Sequence, residues 1–294
     1  MRVAALLPAA TDIVIALGAG DQLVAVTHAC VLPPQLSGVP RVTRSRVVAS
    51  GAAAIDSGVS ELSTAGAPLF ELDEALLVAR QPDVILTQAV CDVCAVREAE
   101  ARAVAAKIRP APRLTTLGAT TVDGILADIM TVGTALDVPE EAEELALGLR
   151  ARIGEVHRRL KANQAPRPRV LVLEWTEPLF SAGHWVPDMV RRAGGHEIIG
   201  QAGQVSRRTS ADEIRASNPE VIVVAPCGYT MAEAEREAAS WSRAQATPVW
   251  VVDANRLTSS PGPGVIHGIE VLARILHPGL FGEPSPRDAS KVSP

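Results

Sequence analysis

Cys91 and Cys94, three positions apart in "TQAVCDVCAV", follow an apolar run and precede a charged, alanine-rich stretch. They are half of the chain's four cysteines, and thiols in this pattern support three chemistries. Together with Cys30 and Cys227 they supply four thiolates for zinc or an iron–sulfur cluster. As a CxxC pair ahead of the helical stretch "AVREAEARAVAAKI" they fit a redox thiol, because a helix N-terminus lowers thiol pKa. As free cysteines they pack as small hydrophobes. A redox unit leaves Cys30 and Cys227 unexplained. Spacing does not choose between the other two, since two of the four ligands come from distant loops.

Positioning such groups requires a scaffold, and short apolar runs alternate with helical patterns along the chain. That alternation predicts α/β layers with mostly parallel strands. "VAALL", "LVAVT" and "DVILT" read as strands in the first half, and "RVLVLEW", "EVIVVAP" and "VWVVDA" in the second. "TDIVIALGAG" reads as a helix with Thr11 as N-cap, ended at Gly18 or Gly20. "SADEIRASNP" opens with a Ser210…Glu213 capping box and stops at Asn218-Pro219. Between the halves, "DVPEEAEELALGLRARIGEVHRRLKANQAPRP" carries acids first, bases last and apolar residues at helical spacing. One helix from Pro139 to Asn163 follows, roughly 40 Å long at the α-helical rise, enough to cross between lobes. The expected division is an N-terminal lobe over 1–137, a bridging helix over 138–165, a C-terminal lobe over 166–282 and a frayed polar tail over 283–294.

Ligands of open parallel sheets bind beyond the carboxyl ends of the strands. Reading just past each strand gives His28 and Cys30, then Cys91 and Cys94, then His184 and Trp185, then Cys227 and Tyr229. All four cysteines share that geometric class, so they are expected to converge on one cleft. Trp175, Trp185 and Tyr229 offer flat contacts, and Gln88, Asn255, Ser259 and Ser260 polar ones. Thr11, His28, Glu174 and His184 complete the candidate ligand-binding set.

Composition narrows the function class. The chain is 47% hydrophobic and 21% charged with net charge -5, so it lacks the basic balance of a nucleic-acid partner. No apolar run is long enough to span a bilayer. Pro8 and Thr11 interrupt the first apolar stretch, which therefore reads as the first strand of the fold and not as a signal peptide. The expectation is a cytoplasmic protein with reduced thiols, or an extracytoplasmic one if the chain is trimmed. "HEIIG" lacks the second histidine of a zincin, and "SSPGPGVIHG" lacks the Gly-Lys-Ser/Thr end of a phosphate loop. Pro261 and Pro263 mark a rigid turn before the last helix. Glu174 and Glu177 pair two carboxylates with no nucleophile or oxyanion hole. Binding is favoured over catalysis.

"LLPAATDIVIALG", "VTHACVLPP", "ILTQAVCDVCAV", "EWTEPLFSAGHWVPDMV", "VVAPCGY" and "PGPGVIHGIEVLARILHP" together resemble the cobalamin-binding, iron-complex-type substrate-binding proteins, relatives of the vitamin B12 binding protein of ABC importers. The resemblance runs in order along nearly the whole chain. It implies two Rossmann-like lobes joined by one rigid helix, a ligand clamped between them, and an ABC importer as partner if the protein is exported. Where relatives read Thr-His-Glu-Cys-Asp-Tyr-Pro, this chain has Thr27-His28-Ala29-Cys30-Val31-Leu32-Pro33, without two acids and an aromatic. The family's later aromatic pair is Leu257-Thr258, and its arginine before Pro-Gly-Pro is Ser260. The implied ligand is therefore cobalamin, another corrinoid, or a related metal-bearing macrocycle or chelate. The alternatives from the thiols are a cytoplasmic metalloprotein carrying a cysteine-ligated iron–sulfur cluster or zinc, and a CxxC redox enzyme. If the thiols hold metal, replacing Cys91 and Cys94 by serine releases it. Metal analysis of wild-type and variant protein, with equal metal content as the contrary result, checks this.

Overall fold

A computed structural model of the 294-residue chain describes residues 1–49, 51–90, 96–242 and 247–292. Two compact units are present: Met1–Ala119 with Gly124–Leu147, and Thr120–Asp123 with Gly148–Pro294. Each has its own sheet. Cys91 and Cys94 lie outside the described residues.

In the first unit the elements run β1 (Val3–Ala5), α1 (Pro8–Ala16), β2 (Leu23–Val26), β3 (Thr43–Ser45), α2 (Ala52–Thr64), β4 (Phe70–Leu72), α3 (Glu74–Ala79), β5 (Val84–Gln88), α4 (Glu98–Ala105), β6 (Arg113–Leu117) and α5 (Val122–Ala135). A four-stranded sheet of order β2-β1-β5-β6 is parallel throughout, and β3 and β4 form a separate antiparallel pair. Parallel strands are covered on both faces, which is why they are written as unbroken apolar runs. Ala4, Leu6, Ala25, Ile85, Val104 and Ile108 form the core between sheet and helices. The start of α1 differs from the expectation. Leu7 is the N-cap and Pro8 opens the helix, because proline is suited to a first turn whose N–H groups have no partner. Thr11 sits a turn inside and is fully buried. Gly18 at φ +74 does close the helix.

The long central helix α6 spans Pro139–Ala162, with Glu140 and Glu141 in its first turn and Arg159 and Lys161 in its last. The unit boundary falls inside it, between Leu147 and Gly148. No described helix is long and apolar enough to cross a membrane.

The second unit continues with β7 (Arg169–Thr176), β8 (Leu179–Ser181), α7 (Val186–Arg192), β9 (His196–Glu197), β10 (Arg207–Arg208), α8 (Ala211–Ser217), β11 (Val221–Val224), α9 (Met231–Ser242), β12 (Val249–Val252), α10 (Ala254–Leu257), α11 (Gly264–Leu276), α12 (Pro278–Phe281) and β13 (Ala289–Val292). Its seven-stranded sheet has the order β10-β8-β7-β11-β12-β13, with β9 also on β7. The β7, β11 and β12 core is parallel, and antiparallel strands cover both flanks. At α8, Ser210 Oγ accepts the Glu213 N–H at 3.1 Å as expected, but the Glu213 carboxylate takes Arg207 and the Thr209 hydroxyl instead of closing the box. The expected frayed tail is also corrected. Residues 289–292 pair along all of β12, Asp288 accepts from Arg256 at 3.0 Å, and Ser290 donates to Glu235 at 2.6 Å. Backbone pairing with the open edge of β12 wins over the polar composition of the tail.

Asp188 on α7 is 4% exposed and ties several elements of this unit together. Its carboxylate accepts the Val122 backbone N–H at 3.1 Å and pairs with Arg191 and with Arg192 Nε at 3.1 Å, while Arg192 also reaches Asp123 at 2.7 Å. Removing this carboxylate leaves the largely buried Arg192 guanidinium with only the exposed Asp123 as partner and leaves the Val122 N–H unpaired. Asp188→Ala is expected to cost about 3 kcal/mol of unfolding free energy in a urea titration. A loss below about 1 kcal/mol would remove this cluster from the list of structural ties.

Candidate ligand-binding site

In the first unit, the turn after β2 is held from one side by Arg41. One guanidinium nitrogen donates to the carbonyls of Thr27, His28 and Cys30 at 2.9–3.0 Å. The Thr43 hydroxyl accepts the His28 backbone N–H at 3.0 Å and lies 2.8 Å from His28 Nδ1. That hydroxyl can donate to Nδ1 or accept from it, so the contact holds the ring in place in either tautomer. Burial, and then the Arg41 charge, push the His28 pKa down, so the ring is neutral at pH 7. Its face meets Phe70 at 5.4 Å. Phe70 also lines a surface concavity of about 470 Å³ with Arg46, Glu71 and Glu74. Beside this turn Val31 is 78% exposed, and Val48, after β3, is 94% exposed.

Cys30 does not face outward from its turn. It is buried, and its sulfur lies 3.1 Å from both the Thr11 and Thr27 hydroxyls. Thr11 is therefore a packing partner of Cys30, and its assignment as a ligand contact is withdrawn. Gln88 is buried at the end of β5, in register with Leu117 of β6.

In the second unit, β7 overshoots the sheet and returns as β8. Leu173 pairs with Val224, the last residue of β11, and with Ser181, the last of β8. The turn 182–185 therefore lies level with the carboxyl end of β11. There His184 adopts a left-handed φ of +51. Its N–H donates to Gln204 at 2.5 Å and its carbonyl accepts from Gly203 at 2.8 Å. Gly183 is required by close approach, since a Cβ there would stand 2.4 Å from the Ser206 nitrogen. The His184 and Trp185 rings are 5.6 Å apart, and Trp185 Nε1 donates to the Thr258 carbonyl at 2.7 Å. Burial pushes the His184 pKa down, and its Nε2 is enclosed with no hydrogen-bond partner among the described residues.

Trp175 meets Tyr229 edge-on at 5.4 Å. Tyr229 is half-buried: its ring packs against the unit's core, as do Leu179, Met231 and Trp241, and its hydroxyl is enclosed. Asn255 is likewise occupied. Its carbonyl oxygen accepts the Gly228 N–H at 2.7 Å and its NH2 donates to the Tyr229 carbonyl at 2.8 Å. That clamp shapes the loop that leaves Cys227 exposed. Glu174, Ser259 and Ser260 are half-buried. The exposed Arg208 on β10 lies over the Phe180 ring at 5.4 Å, and Val205 beside it is 69% exposed. Sequence reasoning missed this pair, although phenylalanines number only three in a chain with 3% aromatics. It also missed Arg41 and Thr43, for which no local signal exists. Among the described residues no group of three or more His, Cys, Asp or Glu side chains is placed to hold a metal ion. The expected convergence of thiols thus has no support from Cys30.

The chain is thus built of two α/β units, each with its own sheet and with histidine-bearing turns near strand ends. The periplasmic binding protein family matches residues 3–251, and the chain belongs to that family. Its class is therefore binding and not catalysis, and the redox-enzyme alternative is set aside. The family's description is periplasmic, which lends nothing to the cytoplasmic expectation. No curated protein matches the chain. Among solved structures, a periplasmic heme-binding protein from Pseudomonas aeruginosa is 19% identical with a TM-score of 0.74, covering 100% of this chain and 98% of that one. The apo form of the periplasmic heme-binding protein RhuT from Roseiflexus sp. RS-1 is 22% identical with a TM-score of 0.68, covering 96% and 97%. The periplasmic vitamin B12 binding protein BtuF of Vibrio cholerae is 20% identical with a TM-score of 0.64, covering 94% and 96%. At such identities the likeness shows the fold.

One missed residue holds the 182–185 turn in place. Glu197 Oε1 accepts from Ile199 and Gly200 at 3.2 and 3.1 Å, and Oε2 from Val172 at 3.1 Å. Gly200 in turn packs so closely on the Ala182 carbonyl that a Cβ would stand 2.1 Å away. Burial pushes the Glu197 pKa up to about 7, against the opposing amides of Gly200, Ile199, Val172 and Ile198. A carboxyl whose folded pKa is raised stabilises the fold below its unfolded pKa, and that contribution is lost as pH rises through the folded value. Stability should fall by about 3 kcal/mol between pH 5 and pH 8 through this group, a slope that Glu197→Gln removes. Urea titrations across that range check it; parallel pH profiles for the two proteins would refute the assignment.

Proposed function

We propose that this chain is the substrate-binding component for a metal-bearing tetrapyrrole, a corrinoid or heme, and that it hands the ligand to an ABC importer outside the cytoplasmic membrane. The observation that carries the reading is the set of flat groups around the end of β7 and the turn after β8 in the second unit: Trp175 on β7, Phe180 on β8 under Arg208, and His184 against Trp185 in the turn. In a chain so poor in aromatics, that placement suits a broad planar ligand, which is held by ring faces and a few polar rim contacts. Exposed Val205 adds apolar surface near Arg208 in the same unit. Gln88, Glu174, Ser259 and Ser260 are the proposed polar contacts, and Cys227 a thiol at the rim. Arg208 would meet a ligand carboxylate or phosphate.

Heme and B12 both occur in the names of the structural neighbours, and support for the broader ligand class comes from there. The absence of two acids and an aromatic around Cys30 counts against a site restricted to cobalamin. No observation favours a cysteine-ligated iron–sulfur cluster or zinc. Absorbance titration of the purified protein with ferric heme and with hydroxocobalamin tests the reading. At least one should bind with a Kd of about 1 μM or tighter, about 8 kcal/mol of binding free energy, and Trp175→Ala should weaken it about tenfold. Failure of both ligands to bind would end the proposal.

A further inference from the structure

We infer that the first unit carries a further binding site, in which Arg2 and Arg80 take the carboxylate or phosphate group of a small molecule. The two arginines line one surface concavity of about 350 Å³ together with Gln35, Leu36, Val39 and Pro40. Small-molecule sites begin at about 300 Å³, so the space admits a compact ligand. Arg2 immediately precedes β1, and Arg80 closes α3 ahead of β5. Strands β1, β2 and β5 are parallel, so their amino ends share one end of the sheet, and the 27–30 turn stands at the other. The site is therefore separate from that turn, and it stands whether or not the tetrapyrrole reading does.

The guanidinium groups call for an anion. Arg2 is already oriented: its Nε donates to the Arg80 and Gln81 carbonyls at 2.9 and 3.1 Å, and Nη2 also reaches the Arg80 carbonyl. Those bonds leave Nη1 without a partner among the described residues. Arg80 is half-buried and its Nε is enclosed, yet its side chain has no hydrogen-bond or ion-pair partner among the described residues. Enclosed N–H groups are ordinarily paired. Arg97 also has an enclosed Nε, but its other two nitrogens donate to the Gly66 and Ala67 carbonyls at 3.3 Å. The chain has 33 acids for 28 bases, and still no described carboxylate pairs with either arginine side chain. Asp83, next to them in the fold, accepts the Arg2 backbone N–H at 2.7 Å instead. Two like charges lining one concavity repel each other. An oxyanion between them removes that repulsion and supplies the missing acceptor, and the planar guanidinium fork matches carboxylate and phosphate oxygens. Leu36, Val39 and Pro40 add an apolar wall, so the fitting ligand carries an apolar body behind its anionic group.

Calorimetric titration of the full chain with benzoate, with phenyl phosphate and with neutral benzamide tests this, on wild-type protein, Arg80→Ala and Arg80→Gln. At least one of the two anions should bind wild-type protein with a Kd of about 1 mM or tighter, and about tenfold more tightly than benzamide. Whichever anion binds better tells a carboxylate site from a phosphate site. Both variants should weaken that anion about tenfold, a loss of one bidentate charge-assisted contact. Arg80→Gln keeps most of the side chain's length, so it carries the comparison if Arg80→Ala fails to fold. Three results overturn the inference: neither anion binds at about 10 mM, benzamide binds as tightly as the anions, or a folded variant keeps the wild-type affinity.

Discussion

The second unit depends on a seam in β7. On one edge of that strand β9 pairs with Arg169 and Val170, while β8 pairs from Leu173 onward. Between them the Val172 N–H has no strand to receive it, and a buried amide without a partner costs about as much as a lost hydrogen bond. The Glu197 carboxylate fills that gap. Its second oxygen gathers the amides of Ile199 and Gly200, which brings the 199–200 bend hard against Ala182. From Ala182 the chain enters the turn that carries His184 and Trp185. One side chain thus joins two strands that could not otherwise share an edge, and it sets where the imidazole and indole stand.

Closing a seam with a carboxylate has a consequence. Among the described residues the donors to Glu197 are backbone N–H groups and no cation faces it, so the amides favour the charged form while burial opposes it. Burial outweighs the amides, and the carboxyl's pKa rises to about 7. An apolar side chain would leave three amides unpaired, so the cost of burying the acid is the smaller one.

The first unit organises its loop by the opposite sign of charge. Arg41 collects three carbonyls of the 27–30 turn, and Thr43 orders both the backbone and the ring of His28. Cys30, which follows β2 as the other cysteines follow their strands, turns into the space between two threonine hydroxyls. A thiol in such a place is a small apolar group with two weak polar contacts. Exposed Val31 next to it, and not Cys30, is what that turn offers outward.

The sequence alone determined what periodicity and composition encode. Unbroken apolar runs marked β1, β2, β5, β7, β11 and β12, because a strand covered on both faces has no polar position to show. The charge gradient and spacing marked α6 to within a residue of each end. The same reading placed His28, His184, Trp185 and Cys227 past strand ends, since topology alone dictates that much. Side-chain direction was decided by tertiary structure. Tyr229 turned to the core, Asn255 to its own neighbouring loop, Thr11 and Cys30 to each other, and the polar tail to the free edge of β12. Each of those outcomes depends on a partner distant in sequence whose unpaired amide, open edge or vacant volume exists only once the sheets have formed. Glu197 shows the limit most plainly: in "HEIIG" it is one acid among many, and only the gap between β8 and β9 gives it work.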